Sequence, residues 1–152
     1  MRYLLYGIFL VLGFSACDNK KPNEDLEKTP SLLVEKVLDK YPDGSVKAVE
    51  EYEVEKGANK LYGYKEYYPS GKVKIQGRYN DQKQRTGLWQ AFFEKGNKWR
   101  IGTYTNGEEN GEKRVWFENG KVRYTGQMKN NKPYGEWLIW DENGNESTKN
   151  FE

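Results

Sequence analysis

Glycines recur in this 152-residue chain with a period of about 24 residues, and this repeat limits the possible folds more than any other feature. One series is spaced by 27, 25, 24 and 24 residues and consists of Gly44, Gly71, Gly96, Gly120 and Gly144. A second is spaced by 24 each time and consists of Gly63, Gly87, Gly111 and Gly135. A third, spaced by 25 and 24, consists of Gly77, Gly102 and Gly126. Three interleaved series with one period indicate a tandem repeat of a single supersecondary unit.

The first glycine series marks the predicted turns. Each of these glycines follows an aromatic or acidic residue and a short run of turn formers, as in Pro42-Asp43-Gly44 and Glu118-Asn119-Gly120. Such residues tolerate positive φ, so each unit is predicted to be a β-hairpin with a tight turn at that glycine. Aromatic residues make up 15% of the chain, which also favours sheet. The prediction is an all-β fold of tandem β-hairpins that form an elongated, twisted antiparallel sheet.

Aromatic residues repeat with the turns. An aromatic ladder is expected along one face, from the four residues that stand four positions before a turn glycine: Tyr67, Phe92, Trp116 and Trp140. Trp99 and Ile101 come one residue later than their counterparts in neighbouring units, which predicts a phase shift in that strand. Residues 32–38 are expected to form an N-terminal cap or edge strand, residues 53–60 a charged loop, and residues 143–152 a polar terminal cap.

The units at 67–79, 92–104 and 116–128 resemble the MORN-type repeat, in the shorter bacterial variant of the YwqK-like antitoxin family and of many bacterial lipoproteins. The resemblance extends over about residues 41–145. It implies successive hairpins in one sheet and a role in membrane attachment or protein scaffolding. The family motif contains no catalytic residues, so the resemblance implies none here.

The N-terminus predicts a lipoprotein. Arg2 precedes the apolar run 3–14, which as a helix at ~1.5 Å per residue is about 18 Å long and too short for a bilayer core of roughly 30 Å. Residues 1–16 are therefore predicted to be a signal peptide. Ser15-Ala16-Cys17 resembles a lipobox, although Phe14 replaces the usual aliphatic residue, so we expect Cys17 to carry lipid, including palmitate.

These segments predict the domain organisation and the location. Residues 17–30 read as the lipidated cysteine followed by a flexible tether, and residues 31–152 as the repeat domain. We expect the protein to be lipid-anchored in the bacterial cell envelope, at the outer membrane.

Composition excludes several functions. The chain has no histidine, which removes imidazole as a catalytic base or metal ligand, and one cysteine, which removes a cysteine-built zinc site. Glu94, Glu118 and Glu142 recur at one turn position, whereas a catalytic carboxylate pair needs two different environments. Removal of residues 1–16 takes away only Arg2 of the 25 basic residues, which leaves 24 against 23 acidic residues and a net charge of +1. We therefore expect no enzyme, no cofactor, no metal site and no nucleic-acid partner.

The remaining hypotheses concern binding. We expect a non-catalytic, lipid-anchored repeat protein that mediates protein–protein interaction or scaffolding in the envelope. An antitoxin or immunity protein that neutralises a toxin by direct binding is an alternative, and a carbohydrate-binding envelope module with a glycan partner is another. The expected partner surface for an unknown protein is aromatic and comprises Trp89, Trp99, Trp116, Tyr134 and Trp137.

Overall fold

A computed structural model describes residues 32–55 and 57–152, which form one open antiparallel sheet of ten strands. Each strand pairs with its neighbours in sequence, so the spatial order equals the chain order and the edges are β1 and β10. The strands are β1 (Leu33–Lys40), β2 (Val46–Glu55), β3 (Ala58–Tyr67), β4 (Val73–Tyr79), β5 (Arg85–Phe92), β6 (Lys98–Thr105), β7 (Glu108–Trp116), β8 (Val122–Lys129), β9 (Lys132–Trp140) and β10 (Glu146–Phe151). The predicted all-β fold of tandem hairpins is confirmed.

Residues 1–31 lie outside the part of the chain that the structure describes. The predicted signal peptide, the lipid site at Cys17 and the tether therefore remain predictions. Within residues 32–55 and 57–152, there is no helix that is long and apolar enough to cross a membrane.

The first glycine series forms five equivalent turns at one end of the strands. In the β5–β6 turn, the Phe93 N–H donates to the carbonyl of Asn97 at 2.9 Å, and the Gly96 N–H donates to the carbonyl of Phe93 at 2.8 Å. Gly96 has a φ of +101°, and the other four turn glycines are also left-handed. This is a type I turn followed by a left-handed bulge residue, a common hairpin connection. All five glycines of this series lie in hairpin turns.

The turns at the other end tie neighbouring repeats together. Asn106-Gly107 and Asn130-Asn131 are two-residue turns in which both residues have positive φ, as a type I′ turn requires. The Gly107 N–H donates to the carbonyl of Arg85 at 2.9 Å, and the Asn131 N–H donates to the carbonyl of Glu109 at 3.1 Å. Arg85 and Glu109 belong to the strand that precedes each of these two hairpins, so both turns are fastened to the repeat before them.

The second glycine series forms β-bulges next to these turns. Gln76 pairs with Gln90 and Arg78 with Thr86, so Gly77 alone faces residues 87–89 of β5. Gly87, Gly111 and Gly135 have φ values of +62°, +107° and +69°, which glycine adopts without strain. Gly63 differs from these three glycines. Its φ is not positive, and the bulge beside it inserts only one extra residue into β3.

The prediction of a charged loop at residues 53–60 is wrong. Residues 53–60 do not form a charged loop, because β2 continues to Glu55 and β3 begins at Ala58. Glu53 pairs with Lys60 across the two strands, and this opposite-charge pair keeps a polar segment in the sheet. The edge strand expected at residues 32–38 is confirmed as β1, and the polar C-terminus forms the edge strand β10.

The two faces of the sheet differ. Directly paired residues share a face, and neighbours along a strand alternate. The first face, here called the packed face, contains six of the seven buried apolar residues: Ala48, Trp89, Ala91, Val115, Met128 and Trp137. The opposite face, here called the polar face, is crossed by one row of paired residues: Val49, Lys65, Gln76, Gln90, Ile101, Arg114, Thr125 and Leu138.

This arrangement tests the predicted side-chain pattern. Ile101 lies on the polar face whereas Ile75 lies on the packed face, so the phase shift expected in β6 is confirmed. The expected ladder residues do share the polar face, since each follows a packed-face residue in its strand. They stand two strands apart, or about 9.6 Å. Among residues 32–55 and 57–152, the ring contacts are made by aromatic residues that do not belong to the expected ladder.

Candidate interaction surface

The third glycine series makes room for large side chains on the packed face. A Cβ atom at Gly77 would lie 2.1 Å from Cδ2 of Trp89, and one at Gly126 would lie 2.3 Å from Cδ2 of Trp137. Both tryptophans are buried, at 5% and 6% exposure. The Trp89 Nε1–H donates to the carbonyl of Arg78 at 3.1 Å, and the Trp137 Nε1–H donates to the carbonyl of Gln127 at 3.2 Å. The glycines thus form slots in which the indoles lie flat against the preceding strand.

Other aromatic residues cover these two tryptophans. Three tyrosine rings surround Trp89 at centroid distances of 6.3, 5.5 and 6.1 Å: Tyr64, Tyr79 and Tyr104. The Arg85 guanidinium lies over the Trp89 ring at 4.2 Å. Burial raises the pKa of the Tyr64 and Tyr79 hydroxyls. Around Trp89, the packed face is therefore largely covered by the chain's own side chains.

A second cluster, built on Trp137, lies further along the packed face. Tyr124 and Phe151 approach the Trp137 ring at centroid distances of 5.8 and 5.7 Å. Phe151 belongs to the last strand, so this cluster holds β10 against β9.

A buried ion cluster separates the two aromatic clusters. Glu109 is buried, and its carboxylate occupies the slot at Gly102. The Arg100 Nη2 lies 2.6 Å from Glu109 Oε1, and the Lys113 Nζ lies 3.2 Å from Oε2. Burial disfavours the charged form of Arg100, but the hydrogen bond and charge of Glu109 outweigh it and raise the pKa of the guanidinium. In the repeat, Lys113 occupies the position of Trp89, and Glu109 that of Arg85.

The other buried carboxylate lies on the polar face. Lys65 Nζ lies 2.6 Å from Glu51 Oε1, and this hydrogen bond raises the pKa of Lys65. Glu51 and Glu109 lie on opposite faces of the sheet, so they cannot act together as an acid and base pair. In the part of the chain that the structure describes, no group of histidine, cysteine, aspartate or glutamate side chains could hold a metal ion.

The five aromatic residues expected to bind a partner have different environments. Trp89 and Trp137 are buried on the packed face. Trp116 is half-buried on the polar face, with the cations of Lys98 and Arg114 about 6 Å from its ring centroid. Trp99 and Tyr134 are exposed, at 42% and 51%. The structure does not bring the five together into one patch, and their role in binding stays a prediction.

Edge strand β1 is the surface that sequence reasoning did not single out for binding. Five apolar residues at or next to the start and middle of this strand are between 36% and 55% exposed: Leu32, Leu33, Val34, Val37 and Leu38. Among the residues described, only three other large apolar side chains are as exposed. We call residues 32–38 the β1 edge. Its signal in the sequence is an apolar run outside the glycine repeat.

Among residues 32–55 and 57–152, no strand pairs with the outer side of the β1 edge. The carbonyl of Leu32 accepts from the Val54 N–H at 3.1 Å, and the register is regular from Leu33 to Val37. Because hydrogen-bonded and non-hydrogen-bonded pairs alternate, the backbone groups of Leu33, Glu35 and Val37 point away from β2. They form a row of donors and acceptors along the outer side of the sheet.

The opposite edge is protected. Strand β10 has only six residues and is polar, with the sequence Glu-Ser-Thr-Lys-Asn-Phe. A short edge strand that lacks apolar residues along most of its length offers little to another chain. The two edges therefore differ, and the β1 edge is the candidate interaction surface.

Comparison with known proteins supports the repeat and adds little about activity. No curated protein matches the chain. One solved structure is similar over 68% of this chain and 22% of its own, with 13% identity and a TM-score of 0.42: a chain in the crystal structure of a GtfA/B complex bound to UDP and GlcNAc. The present chain thus spans about a fifth of that chain, and the likeness says nothing about what the present chain binds.

A family model described as "MORN repeat variant" matches three segments, residues 64–81, 85–106 and 109–130. Each segment coincides with one hairpin and its glycine turn: β3–β4, β5–β6 and β7–β8. The flanking hairpins have the same type of turn, at Gly44 and Gly144, outside the matched segments. Across these three hairpins, the chain is similar to the MORN repeat variant.

Proposed function

We propose that this protein is a non-catalytic, lipid-anchored repeat protein of the bacterial cell envelope that binds another protein through the β1 edge. The MORN repeats support a role in interaction or scaffolding. The observation that carries the proposal is the combination, on one strand, of exposed apolar side chains and outward-directed backbone groups.

The β1 edge is suited to strand addition. An extended segment of a partner can pair with the backbone of Leu33, Glu35 and Val37, and main-chain hydrogen bonds then supply affinity. Side chains of β1 alternate between the two faces, so the partner strand gains most if it carries apolar residues at successive positions. Glu35 places a negative charge on one face of the sheet and Lys36 a positive charge on the other. These charges limit the registers in which a partner strand can pair with β1.

The sequence supports the anchor. Cys17 precedes Leu32 by fifteen residues, which reach at most about 50 Å at ~3.3 Å per residue. The first strand that the structure describes after the predicted lipid site is β1, whose outer side forms the β1 edge. A partner of the same membrane would meet the β1 edge at high effective concentration.

Site-specific photocrosslinking in intact cells tests the edge and the anchor together. A photoreactive residue is placed in the full chain at Leu33 or Val37, and in a matched control at Ser147 on β10. We expect a discrete protein adduct from the β1 positions and little from Ser147. Cys17→Ser in the same chains should abolish incorporation of labelled palmitate, make the precursor accumulate and strongly reduce the β1 adduct, because the mature protein is no longer lipid-anchored.

The outcomes are separable. Equal adducts from both edges, or none from β1, would contradict the proposed binding edge. Palmitate labelling that persists in Cys17→Ser would contradict the anchor alone. A toxin as the crosslinked partner would replace scaffolding by the antitoxin hypothesis while keeping the β1 edge as the site.

A further inference from the structure

An open groove lies on the polar face across β3, β4 and β5, away from the β1 edge. Its volume is about 580 Å³, within the range of small-molecule sites. The bulge at Gly87 creates it, because the pairing of β4 with β5 is interrupted between Gln76 and Arg78. The side chains that line it include Tyr62, Lys65, Gln76, Thr86, Leu88 and Gln90.

The floor of the groove has unused hydrogen-bonding groups. Gln76 Nε2 donates to Gln90 Oε1 at 3.1 Å. Within residues 32–55 and 57–152, Gln76 Oε1, the Gln90 amide N–H groups and the Thr86 hydroxyl have no hydrogen-bond partner in the protein. Two donors, one acceptor and one hydroxyl that can do both therefore face the same half-buried space.

The charged side chains that line the groove already have partners within the protein. The cation of Lys65 at one end is neutralised by Glu51 at 2.6 Å. The Arg78 guanidinium lies over the Tyr62 ring at 5.4 Å, at the groove wall. Leu88, which is 49% exposed, provides an apolar surface beside the amides. A ligand that fits is neutral, rich in groups that both donate and accept hydrogen bonds, and apolar on one side.

We propose that this groove binds a neutral oligosaccharide. Sugar hydroxyls donate and accept, which matches the paired amides, and the apolar face of a pyranose ring can pack on Leu88 and Tyr62. A peptide strand fits less well, because these central strands have a neighbouring strand on both sides, which leaves no open edge for strand addition. The proposal does not rest on partner binding at the β1 edge.

The test is NMR titration of the full, ¹⁵N-labelled chain in a micelle of a detergent that contains no sugar. Cellotetraose, chitotetraose and maltotetraose are the probes, each taken to millimolar concentration. We expect at least one to give saturable shifts of the Gln76 and Gln90 side-chain amides. Gln90→Ala and Leu88→Ala should each weaken that affinity about three- to tenfold, while Gln127→Ala, a polar-face control outside the groove, leaves it unchanged.

Three results would overturn the proposal. The first is no saturable shift with any of the three tetrasaccharides. The second is affinity that Gln127→Ala reduces as much as Gln90→Ala does. The third is a saturable response to an extended, uncharged peptide but to none of the sugars. Circular dichroism and urea unfolding of each variant show that a lost response does not come from a lost fold.

Discussion

Gly77→Ala is expected to lower the free energy of unfolding by about 3–5 kcal/mol, the range for losing a buried tryptophan. The added methyl would lie 2.1–2.5 Å from three atoms of the Trp89 indole. A rigid ring cannot give way by rotating a terminal group, so the indole must leave its slot. It then loses its hydrogen bond to Arg78 and its contacts with the surrounding tyrosines. Urea unfolding followed by tryptophan fluorescence measures the effect.

Gly71→Ala is the matched control. Gly71 has a φ of +77°, but no atom lies within 4 Å of the added Cβ. Its replacement strains the backbone alone, at a cost of about 1–2 kcal/mol. The double variant Gly77→Ala with Trp89→Ala should lose clearly less free energy of unfolding than the sum of the two single losses. Each single change removes the indole from the same slot, so the second change has little left to remove. If Gly77→Ala were no more destabilising than Gly71→Ala, the slot would not be the reason for that glycine.

Glu109→Ala is expected to lower the free energy of unfolding by about 2–4 kcal/mol. Breaking a buried ion pair leaves an uncompensated charge and costs about 3–5 kcal/mol. The expected loss is smaller here because the side chains of Arg100 and Lys113 are 34% and 18% exposed, so water can partly solvate the charges left behind. Glu118→Ala, which breaks the exposed pair with Lys95, should cost at most about 1 kcal/mol under the same conditions.

The repeat itself supplies a rescue. A triple variant, Glu109→Arg, Lys113→Trp and Arg100→Ile, introduces the residues that the preceding repeat has at Arg85, Trp89 and Ile75. The new indole would fill the slot at Gly102, and we expect stability near that of the wild type, since apolar packing often replaces a buried ion pair without loss. A Glu109→Ala change that costs less than about 1 kcal/mol would contradict the structural role of the ion cluster.

The order of strands and the position of the turns could be predicted because both depend on short-range features. Turn residues with positive φ determine where a hairpin reverses, and a period of one hairpin leaves sequence neighbours as sheet neighbours. The second and third glycine series could be counted but not explained. The role of the second series depends on where the strand register shifts at a bulge. The role of the third depends on which side chain of the adjacent strand lies over each glycine, as Trp89 lies over Gly77.

The candidate site was harder to predict than the fold. Aromatic type alone grouped Trp89 and Trp137 with Trp99 and Tyr134, whereas the structure buries the first two and exposes the others. Residues 53–60 were expected to form a loop because they are charged, but cross-strand pairing keeps them in the sheet. The exposure of the β1 edge follows from the lack of a neighbouring strand, which the composition of β1 does not reveal.

The measurement that tests the central claim most directly is amide hydrogen exchange along β1, by NMR, in the full chain in detergent micelles. If the β1 edge is open, the amides of Val34 and Lys36, which face Tyr52 and Glu50, should be protected. Those of Glu35 and Val37 should exchange at nearly the unprotected rate. Equal protection of all four amides would show that the edge is already covered and would contradict its role as the binding surface.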